Sequence, residues 1–458
     1  MIRFFMSASI FFWLTLVVPA LYAQQKQHTL ANLWSLVEVN YPGIIAKESA
    51  IESAKYSERA TKSNALPQAR MQMQNTYGTY EASNGGFFQQ PGLFNVNGAK
   101  GLNGSSAAAS THGSATLEFE LFAFGRQQAE NRAAEMVTSR ISADKEAYLL
   151  SLKKELATRY IQLIYDDVKL KWIDQNVLRL HEIQQSAAGL ARSGIKPAAD
   201  SLLAYSSYIQ ALAEKDNWIG KKSESTERLK ELHGQDALEY SYSGSNFIKP
   251  TFNKAHFASL NRSHPFLEMF DKQSSYHELA GTAEKRAALP SLKLLGGYAY
   301  RGTGIGPTGS VSGNWSDGFS NSANNVLVGL GLSWNLTSVH TNRLKADAQF
   351  KAAEKTKFMQ SQYERSMQTG LQAAKSKISE QQKQLTKTAE AVEHVLAAFN
   401  MYMARYKSGL ITLTELLQIR MLLEQAENSH IEASRSYWLQ LSDEAELTNN
   451  FDFLFNNL

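Results

Sequence analysis

A helix that runs through a proline directly into a strand occurs twice in this chain of 458 residues. The first copy is Ala65-Leu66-Pro67, followed by the alternating segment "QARMQMQNTYGTY". The second is Ala288-Leu289-Pro290, followed by "SLKLLGGYAYRG". A feature repeated at long separation indicates an internal duplication, so the chain is expected to fold as two similar halves.

Glycine turns support the same duplication near the end of each half. Gly194 in "RSGIKPAADSLL" pairs with Gly409 in "KSGLITLTELL". Proline and glycine positions divide each half into helix, strand, loop, strand, long helix, glycine turn and helix. We therefore predict a first repeat over residues 24–240 and a second over 241–458.

The first 23 residues are typical of a secretory signal peptide. Arg3 supplies the positive charge, "IFFWLTLVV" the apolar core, and Ala23 the cleavage point. An uncleaved membrane anchor is the alternative, but the apolar stretch is too short to span a bilayer. The sequence predicts export, with cleavage after Ala23.

Composition excludes several classes of site. The chain has no cysteine, which rules out disulfides and thiolate metal sites. Its 47 basic and 43 acidic residues are mixed along the sequence, and the net charge of +4 gives no indication of nucleic-acid binding.

The longest helical pattern extends from Gly125 to Arg192, where apolar residues recur at helical spacing. At about 1.5 Å per residue such a helix would be roughly 100 Å long. Two shorter helices, at about 43–66 and 198–233, are expected to stack end to end alongside it. Ordinary core packing would explain the apolar pattern but not the length.

Four segments alternate with the period of a strand. In "NVLVGLGLSWNL" the residues Val326, Val328, Leu330 and Leu332 fall on one face, while the other face is mostly small or polar. About ten alternating residues with aromatic residues near the ends are typical of a transmembrane strand. A half-buried soluble sheet is the alternative for each segment taken alone.

A sheet of four strands has two edges whose unpaired backbone N–H and C=O groups cannot form hydrogen bonds with lipid. Several chains are therefore expected to share one barrel. The connections at 81–112 and 302–324 are rich in Gly, Asn and Ser. This composition predicts exposed, flexible loops outside the cell.

Chemical motifs are sparse. The segment "GIGPTG" from Gly304 to Gly309 fits G-x-G-x-x-G, but no apolar helix follows it to present its N-terminus to a phosphate. His264 precedes the helix-starting Pro265, which indicates a structural role rather than a metal site. We predict no cofactor, no metal and no catalytic residue.

The doubled helix, the Leu-Pro junctions and the motif Tyr406-x-x-Gly409-x₅-Glu415-x-Leu417 resemble the TolC-like outer-membrane efflux proteins. This resemblance implies a mixed α and β fold, with long antiparallel helices forming a trimeric tunnel and four strands per chain contributing to a shared 12-stranded transmembrane barrel. It also implies an outer-membrane location, a helical tunnel in the periplasm, outer-membrane lipid around the barrel, a periplasmic adaptor protein and an inner-membrane pump. The chain would be the exit duct of an efflux or type I secretion system.

The resemblance also implies a periplasmic gate at the tip. Tyr406 and Asp200 match the residues that hold the closed tip together, Glu415 matches the first acidic ring position, and Gln418 stands at the second. Ile411 replaces a linking arginine, which implies fewer charged contacts. The turns that would dock the adaptor contain Arg192, Gly194, Lys407 and Gly409.

Two other classes of protein stay open on the sequence. A structural periplasmic coiled-coil or adhesin-like protein without transport activity would explain the long helices but not the alternating strands. A secreted enzyme has no acid–base or nucleophile motif to support it. Neither the transported substrate nor the class of pump is readable from the residues.

Overall fold

The computed structural model describes residues 28–79, 107–236, 238–251 and 263–458. The helices and strands follow in this order: α1 (Leu30–Asn40), α2 (Pro42–Ser63), β1 (Gln68–Thr79), β2 (Ala107–Phe122), α3 (Arg126–Arg192), α4 (Ala198–His233), α5 (Gly244–Ile248), α6 (Pro265–Ala287), β3 (Ser291–Thr303), β4 (Ala323–Ser333), α7 (Leu336–Lys407), α8 (Leu413–Thr448) and α9 (Asp452–Asn457). A 3-10 helix, Trp315–Phe319, lies between β3 and β4. The signal-peptide prediction falls outside the described residues.

Two very long helices form the frame of the molecule. Helix α3 has 67 residues and α7 has 72, so each is about 100 Å long. Shorter helices lie end to end along α3: Thr138 on α3 donates to Glu58 on α2 at 2.9 Å, and Lys215 on α4 pairs with Asp174 on α3 at 2.7 Å. Helices α6 and α8 pack on α7 in the same way. The predicted arrangement of helices is confirmed.

The main core lies midway along the helices, where the small helices α1, α5 and α9 cover the bundle. Trp438 of α8 is 1% exposed and donates through Nε1 to the carbonyl of Phe247 at 3.0 Å. Tyr160 of α3 is fully buried and donates to the carbonyl of Ser241 at 2.8 Å. These bonds satisfy the polar atoms of large aromatic side chains and so fix the short helices to the bundle.

His264 has the structural role that the sequence indicates. Its Nδ1 accepts from the backbone of Phe266 at 3.4 Å at the start of α6, with Pro265 in the first turn. Its Nε2 lies 2.9 Å from the carbonyl of Glu446, to which it donates. The ring is 1% exposed, and burial lowers its pKa.

The four strands form one antiparallel sheet in the order β1-β2-β3-β4. Paired residues share a face, so the register defines rows across the sheet. One row consists of Met71, Ala115, Tyr298 and Val326, and the neighbouring row on the opposite face consists of Gln72, Ser114, Ala299 and Asn325. The sheet therefore has one apolar and one mainly polar face.

The apolar face is open to its surroundings. Met71 is 87% exposed, Val326 77% and Val328 75%. On the polar face Lys293 of β3 pairs with Glu118 of β2 at 3.1 Å. Exposed apolar side chains in continuous rows indicate a surface meant for an apolar environment.

Prolines mark both changes from helix to strand, as predicted. Pro67 lies between α2 and β1, and Pro290 lies between α6 and β3. Strand β4 is shorter than the alternating sequence suggests, because Asn335 already caps α7 by accepting from the backbone of Ser338 at 3.1 Å. Trp334 at this junction donates to the carbonyl of Ala288 at 3.1 Å.

Among the described residues, the prediction of two exposed loops is wrong at the loop ends, which belong to strands, whereas most residues of 307–322 are exposed as predicted. Residues 107–112 belong to β2, and Ala108 to Thr111 are buried. The β3–β4 connection folds onto the sheet: Gly304 donates to the carbonyl of Ala109 at 2.9 Å, and Ile305 bridges to Val311. Small residues allow this close packing, which composition alone cannot reveal. Residues 80–106 lie outside the described part of the chain.

Candidate gate at the helical tip

Two glycine turns close the end of the molecule far from the sheet. Gly194 ends α3 with φ 72°, and Gly409 ends α7 with φ 77°. In each turn the glycine N–H and the next N–H bond back to the helix, as in a Schellman motif: Ile195 donates to Leu190 and Leu410 donates to Arg405, both at 3.0 Å. A side chain at either glycine would be strained, which is why both turns carry this residue.

The two turns contact each other. Lys196 Nζ donates to the carbonyl of Ile411 at 2.9 Å, and a Cβ added to Gly409 would lie 3.4 Å from Cγ2 of Ile195. Lys407 adds an ion pair with Glu182 of α3 at 2.5 Å. The tip is therefore one unit made from both halves of the chain.

The residues predicted to dock an adaptor all lie on this unit. Arg192, Gly194 and Lys407 are exposed, and Gly409 is half-buried. Lys196 and Glu182 were missed by the sequence reasoning. The position of Lys196 directly after the glycine turn was a usable signal, but nothing in the sequence connects Glu182 with Lys407.

Tyr406 is completely buried at the base of the tip. Its hydroxyl has no hydrogen-bond partner within the described residues. Burial, and secondly the charge of Asp200, raise the pKa of Tyr406, so the hydroxyl keeps its proton. The structure thus brings Tyr406 and Asp200 into one neighbourhood without a direct bond between them in a single chain.

Glu415 lies in the first turn of α8 and takes part in a capping box. It accepts from the backbone N of Thr412 at 2.7 Å and from the Thr412 hydroxyl at 2.9 Å. These bonds lower the pKa of Glu415 and keep its exposed carboxylate charged. The residue therefore has a local structural role besides any role in a ring.

Gln418, predicted for the second ring position, follows one turn later on α8 and is exposed. It lines an open pocket of about 740 Å³ between α3, α4 and α8. Lys169 lines the same pocket, with its ammonium 4.8 Å from the centre of the Trp172 ring. Gln418 is therefore exposed on the surface of α8, whereas Tyr406 is buried.

A second group missed by the sequence reasoning joins α3 to α8 nearby. Arg179 donates to both carboxylate oxygens of Glu427, at 2.9 and 2.7 Å, and Trp172 Nε1 donates to the same carboxylate. Bidentate arginine pairs are geometrically specific, so this group fixes the register of the two helices.

No metal-binding cluster of three or more histidine and acidic side chains occurs in the described ranges. The Gly304 to Gly309 segment forms a tight turn in which Gly306 donates to the carbonyl of Ser310 at 2.7 Å. The helix that follows has only five residues, Trp315–Phe319, and is of the 3-10 type. This geometry does not build a phosphate site.

Among the helices that can be described, none is both long and apolar enough to cross a membrane.

Comparisons with known proteins agree with the resemblance seen in the sequence. Residues 277–448 match the model of the family described as outer membrane efflux protein. A search of the curated proteins found no match.

Solved structures of outer-membrane channels share the fold. CusC is similar with a TM-score of 0.74 and 12% identity over 93% of each chain. The CmeC outer membrane channel of Campylobacter jejuni has a TM-score of 0.69 and 15% sequence identity, and the match covers 92% of this chain and 85% of CmeC. The MtrE outer membrane channel of Neisseria gonorrhoeae, in its open state, has a TM-score of 0.67 and 14% sequence identity. The match covers 92% of this chain and 89% of MtrE.

Proposed function

We propose that this chain, whose residues 277–448 match the outer membrane efflux protein family, is the exit duct through which an export system discharges its substrates across the outer membrane. One observation carries the proposal: a sheet with an exposed apolar face and a polar face continues directly into helices about 100 Å long. A wall with lipid on one side and water on the other needs these two faces. The family is one of transport proteins, not of enzymes.

Three chains are proposed to share one barrel. Strands β1 and β4 are the edges of the sheet, each paired on one side only within the described residues. Unpaired backbone groups are costly in lipid, so another copy must cover each edge. Three copies of four strands make twelve, the number that the family resemblance implies.

The tip is proposed to be the gate and the docking end. Tyr406 and Asp200 would hold the closed state together between adjacent turns of the tip, and Glu415 would contribute one carboxylate per chain to a narrow ring. Like charges at short range interact by roughly 1 kcal/mol even in solvent, so such a ring would attract cations. Gln418 leaves the second ring uncharged.

The exposed turns around Arg192, Gly194, Lys407 and Gly409 are proposed to bind a periplasmic adaptor protein, which links the duct to an inner-membrane pump. The glycine turns expose backbone and small side chains and so allow close approach of a partner.

Planar bilayer recording tests the proposal. The chain, extracted with detergent from the outer-membrane fraction, should insert and give discrete conductance steps, and the same sample should give none after heat denaturation. A structural coiled-coil protein, the alternative, would be released with the periplasmic fraction and would not conduct.

A further inference from the structure

The connection between β3 and β4 bends back over the end of the sheet farthest from the helices, here called the distal end. Tyr300 on β3 donates to the carbonyl of Phe319 at 3.0 Å, and Tyr77 on β1 donates to the carbonyl of Gly313 at 3.1 Å. The rings of Tyr77 and Trp315 stack with their centres 5.8 Å apart. The 3-10 helix Trp315–Phe319 is thereby held against β1 and β3.

The register shows which face the 3-10 helix covers. Tyr77 pairs with Ala109, and both share a face with Met71 and Met73, the exposed apolar face. A Cβ added to Gly318 would lie 2.8 Å from Cβ of Ala109. The helix therefore lies on the outside of the proposed wall, not over its polar side.

Small residues make room for this packing. A Cβ added to Gly302 would lie 2.6 Å from the carbonyl oxygen of Gly318. Thr111, which pairs with Gly302 on the same face, is fully buried. A larger side chain at Gly302 would push the 3-10 helix away from the sheet.

The surface that this helix presents is aromatic and almost uncharged. Trp315 is 54% exposed and Phe319 48%. Between residues 304 and 322 the one charged residue is Asp317, whose carboxylate accepts from the hydroxyl of Ser312. Without a lysine or arginine the segment cannot bind an anion by charge, whereas an indole suits the boundary between apolar chains and polar headgroups.

The spacing of two exposed aromatic residues fits a lipid layer. Trp334 is 55% exposed at the end of the sheet near the helices, ten positions after Asn324, which shares a row with Tyr300. Ten residues at about 3.3 Å each, tilted by about 40°, rise roughly 25 Å, the height of the apolar band of such barrels. Phe319, whose carbonyl accepts from Tyr300, and Trp334 thus mark the two limits of one band.

We propose that the 3-10 helix Trp315–Phe319 is a lipid anchor: it lies on the outer wall and inserts Trp315 and Phe319 into the outer leaflet at the boundary between acyl chains and headgroups. This inference rests on the proposed function, because it takes the apolar face as the lipid side. The partner is recognised by apolar and indole contacts rather than by charge.

Spin labels on single cysteines test the anchor, since the natural chain has no cysteine. The labels are placed through Phe319→Cys and through Ser316→Cys, an exposed site that keeps both aromatic side chains. Val328→Cys is the lipid reference, and Asp236→Cys, where the side chain is 86% exposed, is the water reference. The labelled protein is placed in phospholipid vesicles. For each spin label, the frequency of collisions with oxygen, which concentrates in lipid, is compared with the frequency of collisions with a water-soluble nickel chelate.

If the 3-10 helix is a lipid anchor, the label at position 319 should collide more often with oxygen than with nickel, as the label at 328 should. The label at 236 should show the reverse. A label at 319 or 316 that favours nickel, or that is shielded from both reagents, while 328 keeps its lipid pattern, would overturn the anchor and leave the proposed duct intact. A label at 328 that favours nickel would overturn the lipid wall itself, and the anchor with it.

Discussion

Lys196 Nζ donates a 2.9 Å hydrogen bond to the carbonyl oxygen of Ile411 and so joins the two turns of the tip. The family resemblance implies an arginine at position 411, and the isoleucine there is 6% exposed. A link through the backbone of Ile411 therefore occupies the place where a charged side-chain contact was expected.

Lys196→Met should loosen the tip, because methionine keeps part of the apolar stem and loses the donor. A well-formed hydrogen bond from a charged group contributes about 1.5–3 kcal/mol to stability. The bond from Lys196 is partly exposed, so its contribution should lie at the lower end of this range. We expect a higher mean conductance in planar bilayers. The control is Lys383→Met, since Lys383 pairs with Glu380 on the same exposed helix surface; equal conductance of the two variants would count against the link.

Tyr406→Phe and Asp200→Ala should both increase single-channel conductance. Tyr406 is buried with an unused hydroxyl, its raised pKa keeps it a donor, and the proposed closed state pairs it with Asp200. Tyr56→Phe, at a tyrosine that is 68% exposed on α2, serves as the matched control. If Tyr406→Phe conducts like the parent, the hydroxyl is not part of the gate.

Glu415→Gln should reduce the preference for cations while the helix start is retained. Glutamine can also complete a capping box with Thr412, so the change removes the charge and keeps the cap. The reversal potential in a salt gradient measures this preference. The control is Glu380→Gln on α7; an unchanged reversal potential for Glu415→Gln would show that the carboxylate does not face the ion path.

Stability should depend on pH through Glu444, which is 6% exposed on α8. Burial raises its pKa from 4.5 to about 7, with the charge of Lys375 acting in the opposite direction. Because the folded state holds the proton more tightly, the stabilisation is full below about pH 4.5 and is lost as the pH rises to about 7.

Glu444→Gln should therefore raise the thermal midpoint of unfolding at pH 8 relative to the parent. The expected gain in the free energy of unfolding is on the order of 1–3 kcal/mol. At pH 4.5 the midpoint should change little. Thermal unfolding followed by circular dichroism at both pH values measures the difference. Glu380→Gln, at a side chain 69% exposed, is the control. A gain that is equal at both pH values would contradict the assigned titration.

The helices and their junctions were readable from the sequence because local rules decide them. A helix rarely continues through a proline, so Pro67 and Pro290 predict where the helices before them have ended. The absence of glycine from 126 to 188 allows one long helix. Alternation in "NVLVGLGLSWNL" gave the exposed face of β4 because side chains in a strand alternate by geometry. The proposed gate residues were taken from the family resemblance, not from such rules.

Contacts between distant parts of the chain were not readable. The loop ends were misplaced because Gly, Asn and Ser indicate irregular backbone but not where it packs. The approach of Gly302 to Gly318 depends on the register of the strands. The pair of Lys407 and Glu182 likewise joins two halves through a turn geometry that no local pattern encodes. Such contacts depend on the assembled fold.

The central claim is that three copies of this chain form one duct in the outer membrane. Native mass spectrometry of protein extracted with detergent from the outer-membrane fraction measures it directly. The account predicts a species with three times the mass of the processed chain, which persists as detergent is stripped in the gas phase. A stable monomer as the main species would leave both sheet edges uncovered and would contradict the claim.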